Sequence, residues 1–200
     1  MANLGRHALL EGRSAWNLVL YGKEAPRPLQ RIWFDANACD TSMAKAVPNS
    51  LSGKIVGGDW DLNATPLEKR EVIRLCLMHW RDGVPWEDTG IYEWQLARIK
   101  DLGGVKDRCR TIDDVVARYQ ALDRMFEQAR SERALRPGPH PAIEPGGIRI
   151  SLGRQRQPIF GHAGNHRLAA ARVLGLTHVP AQVLLVHPHA LRAQRLAAVD

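Results

Sequence analysis

Gly161-His162-Ala163-Gly164-Asn165-His166-Arg167-Leu168-Ala169-Ala170-Ala171-Arg172-Val173-Leu174-Gly175-Leu176, followed by Val179-Pro180-Ala181-Gln182-Val183, decides the reading of this 200-residue chain. Pro158-Ile159-Phe160 just ahead has the content of a short strand, and residues 165–174 form an Ala- and Leu-rich helix closed by Gly175. Between them, Gly161 and Gly164 let the backbone turn sharply or approach a ligand closely. A helix that opens directly after a strand presents N–H groups with no intrahelical partner at the positive end of its dipole. Arg167 adds a permanent cation in the first turn, a placement the dipole opposes unless an anion binds there. His166 can donate a hydrogen bond or move a proton near neutral pH. Gly161, Gly164, Asn165, His166 and Arg167 are therefore the expected phosphate-binding set. The structural alternative is a plain Gly turn before a core helix, with Arg167 in solvent.

Working outward, residues 148–152 alternate as a strand, residues 153–157 form a turn, and the apolar run 179–186 reads as a strand buried in a sheet. A short helix is expected near 189–198. Residues 137–147 hold four prolines and three glycines, the composition of a linker. Residues 65–136 carry three helix signals. Thr65 is the expected N-cap of the first, with Pro66 at N1, Glu68 completing a capping box, and an apolar stripe at Val72, Cys76 and Trp80. The second starts near Asp88-Thr89, carries Tyr92, Leu96 and Ile99, and stops at Gly103-Gly104. The third opens at Thr111, with Ile112, Val115, Val116, Tyr119, Leu122 and Phe126 as its apolar face. In residues 1–64 a helix is expected over 7–21, and strands over 31–34 and 54–56 flank a loop at 35–53. The expected organisation is an N-terminal segment 1–64, a three-helix insertion 65–136, the linker 137–147 and a signature region 148–200.

The length suits one domain with an attached subdomain and suffices for a core without disulfides or metals. At 44% hydrophobic and 24% charged residues the chain is neither disordered nor a coiled coil, and no apolar run reaches the roughly 18 residues that span a bilayer. Cys39, Cys76 and Cys109 form no CxxC and read as reduced thiols. No secretory pattern opens the chain, so a cytoplasmic protein without membrane contact is expected. The net charge of +7 is uneven: residues 146–200 hold seven Arg, no Lys and one acid, Asp200, giving +6. That asymmetry suggests an anionic partner, whether a nucleotide, a phosphorylated metabolite or nucleic acid.

Gly164-x-His166-Arg167 before an Ala-rich helix, then Leu-Gly-Leu and Val-Pro-Ala-x-Val, resembles the signature box of the ParB/sulfiredoxin superfamily. The resemblance covers about residues 148–187, with 29–37 as a match for that fold's opening strand. It implies an α+β fold: a small mixed sheet with helices, interrupted here by the helical insertion. The motifs Gly57-Gly58-Asp59-Trp60-Asp61 and Trp86-Glu87-Asp88-Thr89 look like those of an uncharacterised subgroup sharing this box. Partition proteins carry Gly-Glu-Arg-Arg and a downstream DNA module; here Asn165 and His166 stand in the box, and thirteen residues follow His187. Sulfiredoxins use a cysteine where this chain has Asn165. The free-serine kinases of the superfamily, with a Gly-x-His-Arg box, fit best. The resemblance implies a nucleoside triphosphate (ATP or CTP) bound at 161–167 with Mg²⁺, and phosphoryl transfer to a small-molecule acceptor or NTP hydrolysis. DNA binding or nuclease-like activity is the alternative, and the oligomeric state stays open.

Phosphoryl transfer also needs carboxylates, to hold Mg²⁺ or to deprotonate an acceptor. Asp61 is the first choice as base and metal ligand, with Asp59 beside it, because both follow a strand and a Gly-Gly turn. Asp35, Glu87 and Asp88 are the other candidates. An ordinary loop anchored by Trp60, with both acids in solvent, is the structural alternative. His162 with His166, or His187 with His189, lacks a third ligand at suitable spacing for a metal.

Overall fold

The computed structural model of the chain describes residues 2–23, 25–138 and 147–191. Helix α1 (Ala2–Tyr21) precedes strand β1 (Arg31–Phe34) and the two-residue strands β2 (Thr41–Ser42), β3 (Lys54–Ile55) and β4 (Thr65–Pro66). Helices α2 (Glu71–Trp80), α3 (Trp86–Thr89), α4 (Ile91–Asp101) and α5 (Ile112–Glu132) follow. The chain then runs β5 (Ile148–Leu152), β6 (Pro158–Phe160), α6 (Asn165–Val173) and β7 (Val179–Val186). The fold is mixed α/β. Its sheet has the order β1-β7-β5-β6-β2-β4, with β3 also on β7. Strand β7 pairs antiparallel with β1 and parallel with β5 and β3, while β5 and β6 form an antiparallel hairpin.

The unbroken apolar run of β7 follows from its position, since all eight residues are buried and both sheet faces are covered. Successive residues point to opposite faces: Phe160 joins the cluster under α2 and α6, and Ile159 joins Met43 and Leu185 on the other side. Helix α6 lies against the sheet with α2 along it, and Leu168 to Ala171 are fully buried. The Ala run thus serves close packing. Residues 65–136 do not build a core of their own. Val72 and Cys76 of α2, Val115 and Tyr119 of α5, and Leu168 of α6 share one cluster with Ile148 and Ile150. Asp123 of α5 ties the helices together, accepting hydrogen bonds from Trp80 Nε1 and Trp86 Nε1, each at 2.9 Å.

Strand, strand, helix, strand over 148–186 matches the expectation, and so does the opening of α5 at Thr111, where the structure adds a capping box with Asp114. Other expectations need correction. Thr65 and Pro66 form strand β4, and α2 starts at Glu71 without a side-chain cap. Thr65 Oγ1 contacts Ser42 Oγ across the β2–β4 pair, so a tertiary partner takes the hydroxyl that the capping box needs. The second helix is two, because Gly90 at φ +82° ends α3 and starts α4. Ile112 is 44% exposed. The stretch 35–53 contains β2 and two 3₁₀ turns. Most of the 137–147 linker and the greater part of the expected 189–198 helix lie outside the described residues.

Candidate anion-binding cleft

Three backbone features shape the loop before α6. Gly164, the N-cap, sits at φ +83°, and a Cβ there would come within 2.7 Å of the Ile148 backbone. A Cβ on Gly161 would lie 2.3 Å from Leu184 Cδ1 and 3.1 Å from the Arg149 carbonyl oxygen. Hydrogen bonds from Gly161 N–H to Arg149 O (2.7 Å) and from Arg149 N–H to Ala163 O (3.2 Å) hold the loop against β5. No side chain caps α6, so the positive end of its dipole is not neutralised from within the loop.

This helix start opens into a cleft with two lobes, of about 560 and 530 Å³. Lys106, Asp107, His162, Asn165 and His166 line both. The first lobe adds Lys69, Arg70, Trp94, Gln95 and Arg98. The second adds Arg118, Leu122, Met125, Gly164 and Arg167. Buried polar atoms along these walls that make no protein hydrogen bond include Arg70 Nε, Arg118 Nε and Asn165 Oδ1. Buried polar groups are normally satisfied, so their convergence on one cleft points to a polar occupant.

The two histidines of the loop have different tasks. His162, at φ +70°, lies with Nε2 2.5 Å from Met43 O and Nδ1 3.3 Å from Arg70 Nη1. A carbonyl only accepts, so Nε2 carries the proton, and Nδ1 accepts from the Arg70 guanidinium. Burial, with Arg70 nearby, lowers the His162 pKa in spite of the Met43 hydrogen bond. His166 lies with Nε2 3.5 Å from Tyr119 Oη. Burial, followed by the charges of Arg118 and Lys106, brings its pKa to about 4, with Asp107 opposing. His166 is therefore a neutral imidazole at pH 7. It can donate or accept a hydrogen bond, but it does not exchange a proton near neutrality as the sequence suggests.

The expected carboxylates are elsewhere. Asp61 accepts from Arg154 backbone N–H (2.8 Å) and Arg154 Nε (2.9 Å), and Asp59 lies 2.8 Å from Arg154 Nη2. Arg154 occupies the turn of the β5–β6 hairpin, beyond the Leu152–Pro158 pair. The α6 start packs on Ile148 at the other end of β5, about 15 Å away by strand rise. Burial pushes the Asp61 carboxyl up, but Arg154's hydrogen bonds and charge outweigh it and hold the pKa at about 2. Asp61 is thus one half of a structural ion pair: its oxygens are committed to Arg154, a poor fit to a Mg²⁺ ligand, and its position is wrong for a base acting at α6. No group of three or more His, Cys, Asp or Glu suited to a metal occurs among the described residues. His162 and His166 are turned to Met43 and Tyr119 respectively.

Two acids reach the cleft, Glu71, which is paired with Arg74, and Asp107, which lines both lobes; no local motif singles out Asp107, any more than Lys69, Arg70, Arg98, Lys106 or Arg118. Burial raises the Asp107 pKa, but the hydrogen bond from Lys106 Nζ (2.6 Å), the charges of Lys106 and Arg118, and the neighbouring Gln95 amide leave it lowered overall. Asp107 and Arg108 are successive non-glycine residues in the left-handed region, at φ +53° and +68°. Such strain collects at functional sites. The available signal was Gly103-Gly104-Val105 ahead of the charged triplet 106–108, a sharp turn carrying charge.

Most of the C-terminal arginines are used inside the fold. Arg154 holds Asp59 and Asp61, and Arg172 holds Asp40 together with the carbonyls of Ala36 and Cys39. Arg149 bonds the Asn49 side chain, and Arg156 lies 3.5 Å from Ala190 O. Arg167 donates to Arg136 O at 2.6 Å while lining the cleft. The charge asymmetry is thus largely the signature of a basic C-terminal part clamping acids and carbonyls of the N-terminal part. Arg192 and Arg195 lie outside the described residues.

No protein-family model, curated protein or solved structure gives a significant match to this chain. Among the described residues, no helix is long and apolar enough to cross a membrane.

Proposed function

We propose that the chain binds a nucleoside triphosphate at the N-terminus of α6 and acts as a small-molecule phosphotransferase or NTPase of the ParB/sulfiredoxin type. The observation that carries this reading is the uncapped α6 N-terminus opening into a cleft lined by Lys69, Arg70, Arg98, Lys106, Arg118 and Arg167. Helix-start N–H groups and guanidinium forks are the donors that phosphate oxygens take. The strand–glycine loop–helix order at 158–173 is the arrangement the signature box implies. Asp107 replaces Asp61 as the carboxylate placed to orient an acceptor hydroxyl, and neutral His166 supplies a hydrogen bond to the phosphates or the acceptor. Mg²⁺ would enter with the phosphates rather than on Asp61.

A thermal-shift screen with ATP, CTP and GTP, with and without Mg²⁺, tests binding. A nucleotide at about 100 times its dissociation constant adds about 2.7 kcal/mol to stability, and a rise in Tm is expected. Arg167→Ala should weaken that nucleotide by about 1.5–3 kcal/mol in calorimetry, the worth of a charge-assisted hydrogen bond. If wild type answers to no nucleotide, the loop is a plain structural turn.

A further inference from the structure

Helix α1 is amphipathic in the reverse sense: its polar side meets the protein and its apolar side meets solvent. Asn17 is buried and donates from Nδ2 to Pro26 O (2.9 Å) and Gly53 O (2.8 Å). Arg13 Nη1 donates to Ser50 O (2.6 Å) and Ser52 O (2.9 Å). These bonds fix the rotation of the helix about its axis. Trp16, Leu18, Val19 and Leu20 are then each more than half exposed, Val19 at 77%. At about 100° per residue Val19 lies nearly opposite Asn17, so it forms the crest of an apolar ridge. Single exposed apolar residues are ordinary, but a contiguous ridge marks a contact surface. A basic groove runs along each side of it. One, of about 390 Å³, passes Ser14, Ala15 and Leu18 and carries Lys23 and Arg27. The other, of about 550 Å³, passes Trp16 and Leu20 and carries Arg13 and Lys54. Among the described residues, neither groove is lined by an acid. Over residues 1–31 the sequence sets five Lys and Arg against Glu11 and Glu24.

We propose that α1 docks in the plane of an anionic lipid surface. Trp16, Leu18, Val19 and Leu20 enter the boundary between headgroups and acyl chains, and Lys23, Arg27 and Lys54 meet the lipid phosphates from the grooves. Charge selects this occupant over a second copy of the chain, which would bring the same cations face to face. Size agrees: the four side chains expose on the order of 500 Å², short of the roughly 800 Å² per partner that a stable complex buries. Shape agrees as well, because a folded partner needs a groove matched to this convex crest, whereas lipid conforms to it. An in-plane contact needs no spanning helix, and it departs from the expectation of a chain without membrane contact. The ridge and the α6 cleft share no lining residue, so this contact stands whether or not a nucleotide binds.

Co-sedimentation of the full chain with two kinds of vesicle tests the contact, one of phosphatidylcholine alone and one with about a third phosphatidylserine. The chain should pellet with the anionic vesicles, stay in solution with the neutral ones, and be released as salt rises. Val19→Asp should lower the partition at least about tenfold. It should leave the thermal midpoint unchanged, since the side chain is on the crest. Trp16→Ala should act in the same direction, which keeps the test open if the aspartate variant folds poorly. Lys23→Gln combined with Lys54→Gln should remove the preference for phosphatidylserine. Equal binding to both vesicles, no binding to either, or full binding by Val19→Asp overturns the proposal. Light scattering on the same samples identifies the rival occupant: a wild-type dimer that Val19→Asp dissociates, with no vesicle binding, assigns the ridge to a second copy.

Discussion

Gly164 carries two constraints at once, a left-handed backbone and a backbone neighbour where a Cβ would sit. The loop is therefore built for close packing against β5 whether or not a ligand binds, and the glycine alone does not argue for phosphate. The argument comes from the cations gathered around the uncapped α6 start, among them Arg70, whose guanidinium is partly buried beside the His162 ring. Asp61 shows the opposite case, a charged residue whose partner is already present. Its folded-state pKa, about 2, lies below the ordinary 3.8, so the ionised form stabilises the fold. That contribution is complete above about pH 4 and is lost as pH falls toward 2. Asp61→Asn should cost about 1–3 kcal/mol at pH 7, because Arg154 loses its counter-charge. It should also flatten the acid limb of stability over that window. Urea titrations between pH 2 and 7 check both. Unchanged stability with lost turnover would return Asp61 to the catalytic role.

At the scale of elements, Thr65 and Thr111, each three residues ahead of an acid, end differently. Thr111 accepts from Asp114 N–H while Asp114 caps back, so α5 starts where local chemistry says it should. Thr65 is held by Ser42 in a strand pair, and α2 begins six residues later. Thr111→Ala should lower stability by about 1 kcal/mol, read as a shifted midpoint in urea. Thr65→Ala should leave the helical circular-dichroism signal intact, since no helix starts on it. A loss of helical signal in Thr65→Ala would restore the capping box. The short helix α3 and the turn at 103–109 show how elements build the cleft. Gly90 redirects α4, and the left-handed pair Asp107 and Arg108 returns the chain so that Lys106 and Asp107 face the start of α6.

For the whole molecule, net charge and its use are separate questions. A basic C-terminal third suggests nucleic acid when read along the chain, yet its described arginines bond to Asp40, Asp59, Asp61, Asn49 and backbone carbonyls. Free duplex DNA should therefore bind weakly, with few phosphate contacts. The slope of log affinity against log salt should stay near −1 to −3, at about −0.9 per phosphate contacted. A fluorescence-anisotropy titration across salt measures it. A slope near −6 would revive the nucleic-acid alternative.

The sequence by itself determined the local order of the signature region: strand, turn, strand, glycine loop, helix, buried strand. Each of those steps is written in neighbouring residues, through alternation, glycine punctuation and an Ala-rich helical face. It also placed Asn165, His166 and Arg167 at a helix start, which needs only local signals. Only the tertiary structure decided which charges meet there. Arg70, Arg98, Lys106, Asp107 and Arg118 come from α4, α5 and the turns beside α2 and α4, and no period in the chain links them to the α6 loop. The same holds for Asp61, whose role was set by Arg154 across the hairpin turn. Local signals report what a residue does to its neighbours in sequence, whereas the partner of a buried charge is chosen by packing between distant segments.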